Sequence, residues 1–511
     1  MTSKSTSKAE FEQLSPTACR VTVTVTPDKF RSKLDSIYNN LAKEANIPGF
    51  RPGKAPKNII DRRFGRERII HDATEDIIED SLWPVLKEKE LSIVGHPRID
   101  HDDWKEGEDF NYTAVLEIIP PIPEVDYKDI KIVLQDRALN DELVDEEIEH
   151  LGYRMGESTE IKDRPVKDGD FILVDFESET PEVTIETIDG EAPWRYEQKN
   201  LEIHMGAGKM IKGLDEHITG MELEEIREFK LVLPEDFPDK RVGGKSVDVK
   251  IRVAGIREVK PVELTDDLVI EKFGEQGIED LEGLREKIRQ EIQSSWGKMD
   301  ERATVDQIES YLSRTFDIPL PEGLVRSRYA DIMDRTLESL KGEGTDIDKL
   351  MEKGNVSGEK IRKRARYQAE RLTRIDLVMR EVARKESIRV ADEEIANYLM
   401  LLAYRQGLNE KDLRTLMKDP QFIAGTREEL LRKKVTHFLI DKIEAERIGE
   451  EEFSKMMEEA REEGESHEKE YVENSVDPDI ALQEDYLAGL KSEPAKAADE
   501  SVGDKSAGAE E

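Results

Sequence analysis

Hydrophobic and polar positions first alternate along this chain, then recur at helical spacing, then alternate again. Residues 20–26 read Arg-Val-Thr-Val-Thr-Val-Thr, which puts Val21, Val23 and Val25 on one face and Thr22, Thr24 and Thr26 on the other. That is the period of a half-buried strand. Thr26 then caps a helix whose first residue is Pro27, where a missing N–H costs nothing. Phe30, Leu34, Ile37, Leu41 and Ala45 recur at three- and four-residue steps and give that helix one apolar face, which stops before Ile47-Pro48-Gly49. A short helix is predicted from about Pro56 to Gly65, then a longer one with Ile70, Ala73, Ile77 and Leu82 inward and a kink at Pro84. Strands near Ile93–Ile99 and Phe110–Ile119 complete an α+β unit, and Pro120-Pro121-Ile122-Pro123 leaves it as a stiff extended exit.

Residues 140–160 form a charged helical stretch suited to a linker arm. From Asp170 to Glu258, β-rich runs such as 171–176 and 246–253 alternate with Gly and Pro turns, as in one compact, mainly β domain. From Leu264 to about Ile448 the period is helical. Leu281, Leu284, Ile288, Ile292 and Met299 form one stripe, and Ile361, Ala365, Leu372, Ile375 and Met379 another. Narrow stripes flanked by charge suit helical hairpins that leave much side-chain surface open. The last segment, 451–511, holds 20 acidic and 6 basic residues and reads as a disordered acidic tail.

Composition sharpens this picture. Charged residues make up 38% of the 511 and apolar residues 37%, so extended helical architecture fits better than one compact globule. The net charge is −38, so a nucleic-acid contact needs a local basic patch. The single cysteine, Cys19, rules out an intrachain disulfide and permits a reducing compartment. The first ten residues lack an apolar core of the secretory kind, and no stretch approaches the ~20 apolar residues of a membrane span. A cytoplasmic protein with no membrane partner is therefore expected.

Residues 51–68 run against the charge trend. Arg51, Lys54, Lys57, Arg62, Arg63, Arg66 and Arg68 face only Asp61 and Glu67, a local +5. At the head of this patch, two prolines and two glycines in residues 47–54 fix a protruding loop that presents Phe50 beside Arg51 and Lys54. An exposed ring next to forked and point cations suits a mixed surface of protein and RNA phosphate. The plainer reading is a helix-linking loop with solvated charges.

Gly49-Phe50-Arg51-Pro52-Gly53-Lys54-Ala55-Pro56 resembles the ribosome-docking signature of the trigger factor family, Gly-Phe-Arg-x-Gly-Lys-x-Pro within a helix–loop–helix. The resemblance covers roughly residues 16–450. It implies docking on the large ribosomal subunit beside the exit tunnel through Gly49, Phe50, Arg51, Gly53 and Lys54. Some members carry a second Lys where Pro52 stands, which would make their loop more cationic.

Residues 168–258 resemble the FKBP-type prolyl isomerase domain that this family carries, on Asp168-Gly-Asp170 with Val174-Asp-Phe176, on residues 205–213 and on Leu233-Pro-Glu-Asp-Phe237. The resemblance implies a pocket of Phe176, Met210, Ile211, Leu214, Phe237 and Val249. Rotation about an X–Pro bond faces ~18–20 kcal/mol, and an aromatic-lined pocket lowers it by desolvating the amide, with no acid–base group and no cofactor. Related domains place an aromatic at Leu214, Phe at Val249, and Thr-Gly where Glu177-Ser178 stands, so a looser pocket and weakened turnover are implied. Trp194, in an atypical 179–200 segment, is the candidate for a replacement ring.

Other motifs carry less. Gly244-Lys245-Ser246 has Asp239 where a P-loop needs Gly, and Gly206-Ala-Gly-Lys209 lacks the spacing. His96 and His101 near Asp100, Asp102 and Asp103 read as a polar hairpin tip, so no metal is expected. Residues 359–385 hold ten basic and four acidic residues, which suits a solvated helix face or a second RNA surface.

The resemblance thus implies an α+β multidomain fold. A flexible 1–15 precedes a ribosome-binding domain at 16–135, a helical linker arm at 136–165, an FKBP-like β-rich domain at 166–260, a helical chaperone domain with arms at 261–450, and the tail at 451–511. Met333, Met379, Met400, Met417, Leu401, Leu402, Tyr398 and Tyr404 would cradle clients. The implied partners are the ribosome near the exit tunnel, nascent and unfolded polypeptides, rRNA phosphates and, off the ribosome, a second copy as a homodimer. Two alternatives stand beside this chaperone reading: a prolyl isomerase or holdase independent of the ribosome, and an assembly factor acting on RNA.

Overall fold

The computed structural model describes residues 7–478 apart from 45–49, 52, 90, 188–189, 207–210, 212, 236, 238, 240, 343–345 and 353–354. Gly49, Pro52 and Met210 therefore lie outside the described residues.

The N-terminal unit comprises β1 (Ser7–Ser15), β2 (Ala18–Val25), α1 (Pro27–Glu44), α2 (Lys57–Phe64), α3 (Arg66–Glu88), β3 (Ile93–His101) and β4 (Phe110–Ile118). Its antiparallel sheet has the order β1-β2-β4-β3. The Val/Thr alternation works as expected: Val21, Val23 and Val25 are buried against Phe30, Ala73, Ile77 and Leu82. Tyr112 is wholly inside because its hydroxyl meets Ser81 Oγ at 2.7 Å, leaving no polar atom unpaired. The helix α3 runs on through Pro84. Residues 7–15 correct the expectation of a flexible N-terminus, because they pair with β2 from Ser7↔Val25 to Ser15↔Ala18. The outer edge of β2 offers unmet backbone groups, and a polar edge strand satisfies them without an alternating pattern of its own.

Beyond the proline exit the chain leaves this unit. Val125, Ile130, Ile132 and Leu134 join the core of the helical body, so the segment around β5 (Ile132–Gln135) belongs there and not to the N-terminal domain. No local pattern says which body so short a strand packs on. Next, α4 (Asp141–Met155) opens with an Asn140 side-chain cap and buries Val144.

The β domain comprises β6 (Glu157–Glu160), β7 (Asp170–Thr187), β8 (Gly190–His204), α5 (Leu214–Ile218), β9 (Ile226–Val232) and β10 (Ser246–Lys260). β10 is central: β7 lies along one edge, and β9 and β6 share the other. Asp170, buried where β7 begins, is held by two bonds from Arg164 (2.7 and 2.8 Å) and by the Lys167 N–H. Burial alone would raise its pKa, but these bonds outweigh it and hold the carboxyl low.

The helical body comprises α6 (Asp266–Phe273), α7 (Leu281–Thr315), α8 (Glu322–Gly342), α9 (Ile347–Leu350), α10 (Val356–Lys385), α11 (Asp392–Gln406), α12 (Glu410–Leu416), α13 (Pro420–Lys442), β11 (Ala445–Ile448) and α14 (Glu450–Asn474). β11 returns to pair in parallel with β5, Ala445 opposite Ile132, which ties the two ends of this discontinuous body together. The linker arm is packed rather than free, with Val144 set among Leu264, Val269, Leu284 and Ile288.

The tail expectation also needs correction. Residues 450–474 form a helix that lies on α10, and Val472 and Asp477 are buried. An acidic run repels itself in isolation. Here Arg362, Arg364 and Arg314 supply the opposite charge, which composition cannot locate.

Candidate functional site

Two surfaces carry the predicted site residues. At the first, α1 and α2 flank the loop. The Gly53 N–H bonds to Ala42 O at 2.7 Å, and the Lys54 N–H to Arg51 O at 2.9 Å. Gly53 adopts φ +79°, where a side chain is strained, so the turn needs its glycine. Beneath it Tyr38, Ala42, Ile60 and Ile69 form a small core, and Tyr38 donates to Asp61 at 2.5 Å. This base leaves Phe50, Arg51 and Lys54 exposed, with Phe50 39% accessible. Among the described residues, Arg51, Lys54, Arg62, Arg63, Arg66 and Arg68 form no ion pair, whereas Lys57 pairs with Asp35. The patch is cationic and uncommitted.

At the second, a cleft of about 1460 Å³ opens between the β7–β8 hairpin, α5 and residues 233–239. Phe176, Trp194, Tyr196, Ile211, Leu214 and Phe237 line it, with Met205 and Leu233, and it continues to Glu149, His150 and Tyr153 of α4. Four of the predicted residues, Phe176, Ile211, Leu214 and Phe237, thus come together. Val249 does not join them. It shares a pleat face with its strand partner Ser178, which lines the cleft, but it sits 2% exposed within the core that also holds Phe176 and Leu214, so neighbouring side chains cover it. The pattern reading missed Met205, Leu233 and Tyr196, which neighbouring strands bring in from a distance.

Trp194 lies in the cleft wall beside Phe176 and Tyr196. The long β7–β8 hairpin shifts register between Thr180 and Thr184, and Trp194, opposite Thr180, lies 7% exposed on the cleft wall. Its Nε1 donates to Asp239 Oδ2 at 2.9 Å. Arg241 grips the same carboxylate at 2.9 and 2.7 Å, and chiefly through that grip Asp239 falls to about 2. A carboxylate so committed orients the indole instead of shuttling protons. Apolar walls and a fixed ring can desolvate an amide and hold it twisted.

Sequence comparison decides the family. A profile described as bacterial trigger factor protein matches residues 7–151, and one for the C-terminus of the same protein matches 280–441, together more than half of the chain. A profile for FKBP-type peptidyl-prolyl cis-trans isomerase matches 162–255 between them. The chain belongs to the trigger factor family.

Relatives agree along their length. The trigger factor of Caldicellulosiruptor saccharolyticus is 28% identical over 82% of this chain and 93% of its own. That of Desulforudis audaxviator is 27% identical over 87% and 98%, and that of Halalkalibacterium halodurans 23% over 85% and 98%. A solved trigger factor chaperone aligns over 85% of this chain at 19% identity with a TM-score of 0.41, so the assignment rests on the sequence matches. The protein is a trigger factor chaperone with an FKBP-type domain between N-terminal and helical parts. Among the described residues no helix is long and apolar enough to cross a membrane. The C-terminal profile ends at 441, so β11 and α14 lie beyond the matched residues.

Proposed function

We propose that this trigger factor docks on the large ribosomal subunit beside the exit tunnel, in the cytoplasm, and holds nascent polypeptides open. The observation that carries this reading is the loop. Phe50, Arg51 and Lys54 stand exposed on a glycine-fixed turn, above arginines that form no ion pair among the described residues. Unneutralised arginines are available to rRNA phosphates, and the ring to a protein groove. Client contact falls to dispersed apolar side chains on α11 and just past α12: Met400, Leu401, Tyr404 and Met417 are exposed, Tyr404 at 86%. Met333 and Met379 drop out of the expected cradle because both are buried between helices. Docking raises the local concentration of these weak contacts where a chain emerges.

Prolyl isomerase activity belongs to the same reading, with Phe176, Trp194, Ile211, Leu214 and Phe237 as the pocket, and Met210 kept from the family pattern. The homodimer off the ribosome is likewise a proposal, drawn from the family alone. Co-sedimentation with vacant ribosomes tests docking. Wild type is expected to pellet, and Phe50→Ala/Arg51→Ala to remain in the supernatant. Equal pelleting of the two would move the contact elsewhere. A protease-coupled prolyl assay on the full chain tests the cleft. A rate no higher than the uncatalysed one would remove the isomerase while leaving the chaperone.

A further inference from the structure

The charge on α10 has no task in the function proposed above, and α14 covers part of it. Lys360, Arg362, Lys363, Arg364 and Arg366 crowd into fewer than two turns. Residues 450–474, which lie on α10, contain eleven acidic and three basic residues and reach Arg364, whereas Lys363 and Arg366 pair with Glu359, Glu322 and Glu370. The contacts are specific. Asp477 receives two atoms of the Arg362 fork, Nε at 2.9 Å and Nη2 at 2.5 Å, with both side chains buried. Glu468 meets Arg364 at 3.3 Å, Glu463 meets Arg314 on α7, and the ring of Tyr471 lies 5.2 Å from that of Tyr367.

We infer that this face of α10 is a binding surface for the phosphate backbone of single-stranded RNA, and that α14 with Asp477 is its built-in competitor. The covering segment has the chemistry of the ligand it displaces. It is a rod of negative charge. Glu463 and Glu468 are ~7.5 Å apart along it at 1.5 Å per residue, close to two ~3.4 Å steps of a stacked strand. Its ring occupies Tyr367, where a base would stack. Forked arginines beside an aromatic platform favour RNA over an acidic polypeptide, whose carboxylates need no ring. Val472 is the one buried apolar residue among those described in α14. Ion pairs thus contribute to holding the cover, and the exposed ones, Glu463 and Glu468, are those that salt screens and a denser polyanion can exchange. The cover also lies beyond the residues that the family profile matches.

The test is fluorescence anisotropy with a labelled single-stranded RNA, using the full chain in the Phe50→Ala/Arg51→Ala background so that the docking loop adds nothing. Val472→Asp unseats α14 while leaving its own acidic residues in place, and Glu463→Gln/Glu468→Gln/Asp477→Asn weakens the ion pairs while keeping the packing. Hydrogen exchange reports release of α14 in each. Either released variant is expected to bind RNA at least about tenfold more tightly, with a steeper salt dependence. Adding Lys363→Glu/Arg364→Glu is expected to abolish the gain. Unchanged RNA affinity with α14 released would overturn the inference, as would a gain for an acidic unfolded protein but not for RNA. Failure of both variants to release α14 would also overturn it, since exchange is part of the claim. If one variant does not fold, the other carries the test.

Discussion

Two stretches of this acidic chain gather positive charge, residues 51–68 and residues 359–385, and their fates differ. In the first, six of seven cations have no ion-pair partner among the described residues, and Lys57 alone bonds to a carboxylate. In the second, Arg362, Lys363, Arg364, Arg366, Arg380, Arg384 and Lys385 all have carboxylate partners, some on α8, α13 and α14. Arg366 is gripped by Glu322 and Glu370, and these bonds outweigh its burial and raise its pKa further. Equal charge in sequence thus means opposite things. An open patch is available for a partner, whereas a closed one is already part of the fold.

The largest expected effect breaks the closed side. Asp477→Ala removes the carboxylate that the buried Arg362 fork grips, which costs about 3–5 kcal/mol. Hydrogen exchange should show α14 opening first. Arg51→Ala, on the open side, should change stability by less than about 0.5 kcal/mol in the same denaturant titration. Through this contact the part of the acidic tail up to residue 477 is tied to the helical body.

Charge reversal sharpens the contrast in binding. Arg51→Glu/Lys54→Glu is expected to lower ribosome affinity by about 100-fold, or ~2.7 kcal/mol. Lys363→Glu/Arg364→Glu should leave it unchanged in the otherwise wild-type chain. A fall with both variants would mean that the closed patch is open on the ribosome.

Backbone comes next. Gly53→Ala forces a side chain into φ +79°, a cost of ~1–2 kcal/mol borne by the loop. Weaker ribosome pelleting at unchanged melting temperature would confine the damage there.

The smallest effect concerns Tyr38 beneath the open patch. Burial, helped by the bond to Asp61, raises its pKa to about 12. A raised folded value gives stability that is complete below the free tyrosine value of ~10 and lost as pH climbs through 12. Tyr38→Phe should cost ~1 kcal/mol at neutral pH and flatten the alkaline limb of a melting curve.

How far each element could be read ahead follows from how local its cause is. The Val21, Val23 and Val25 face, the helix behind Pro27 and the glycine turn at Gly53 are dictated by neighbours in sequence, and they form where the pattern put them. The strand at 7–15 was illegible because an edge strand borrows its order from β2. Val249 shares the cleft-side face with Ser178, but alternation does not say which residues of that face neighbouring side chains cover. Trp194 was legible as a ring in an odd segment. Its seat on the wall depends on the register shift in β7–β8 and on Asp239, 45 residues away.

By itself, then, the sequence determined the elements, the charged loop and the family, because propensity, turn chemistry and motif spacing act over a few residues. Tertiary structure alone decided which cations remain free. An ion pair such as Arg362 with Asp477 joins positions 115 residues apart, and no local pattern records that meeting.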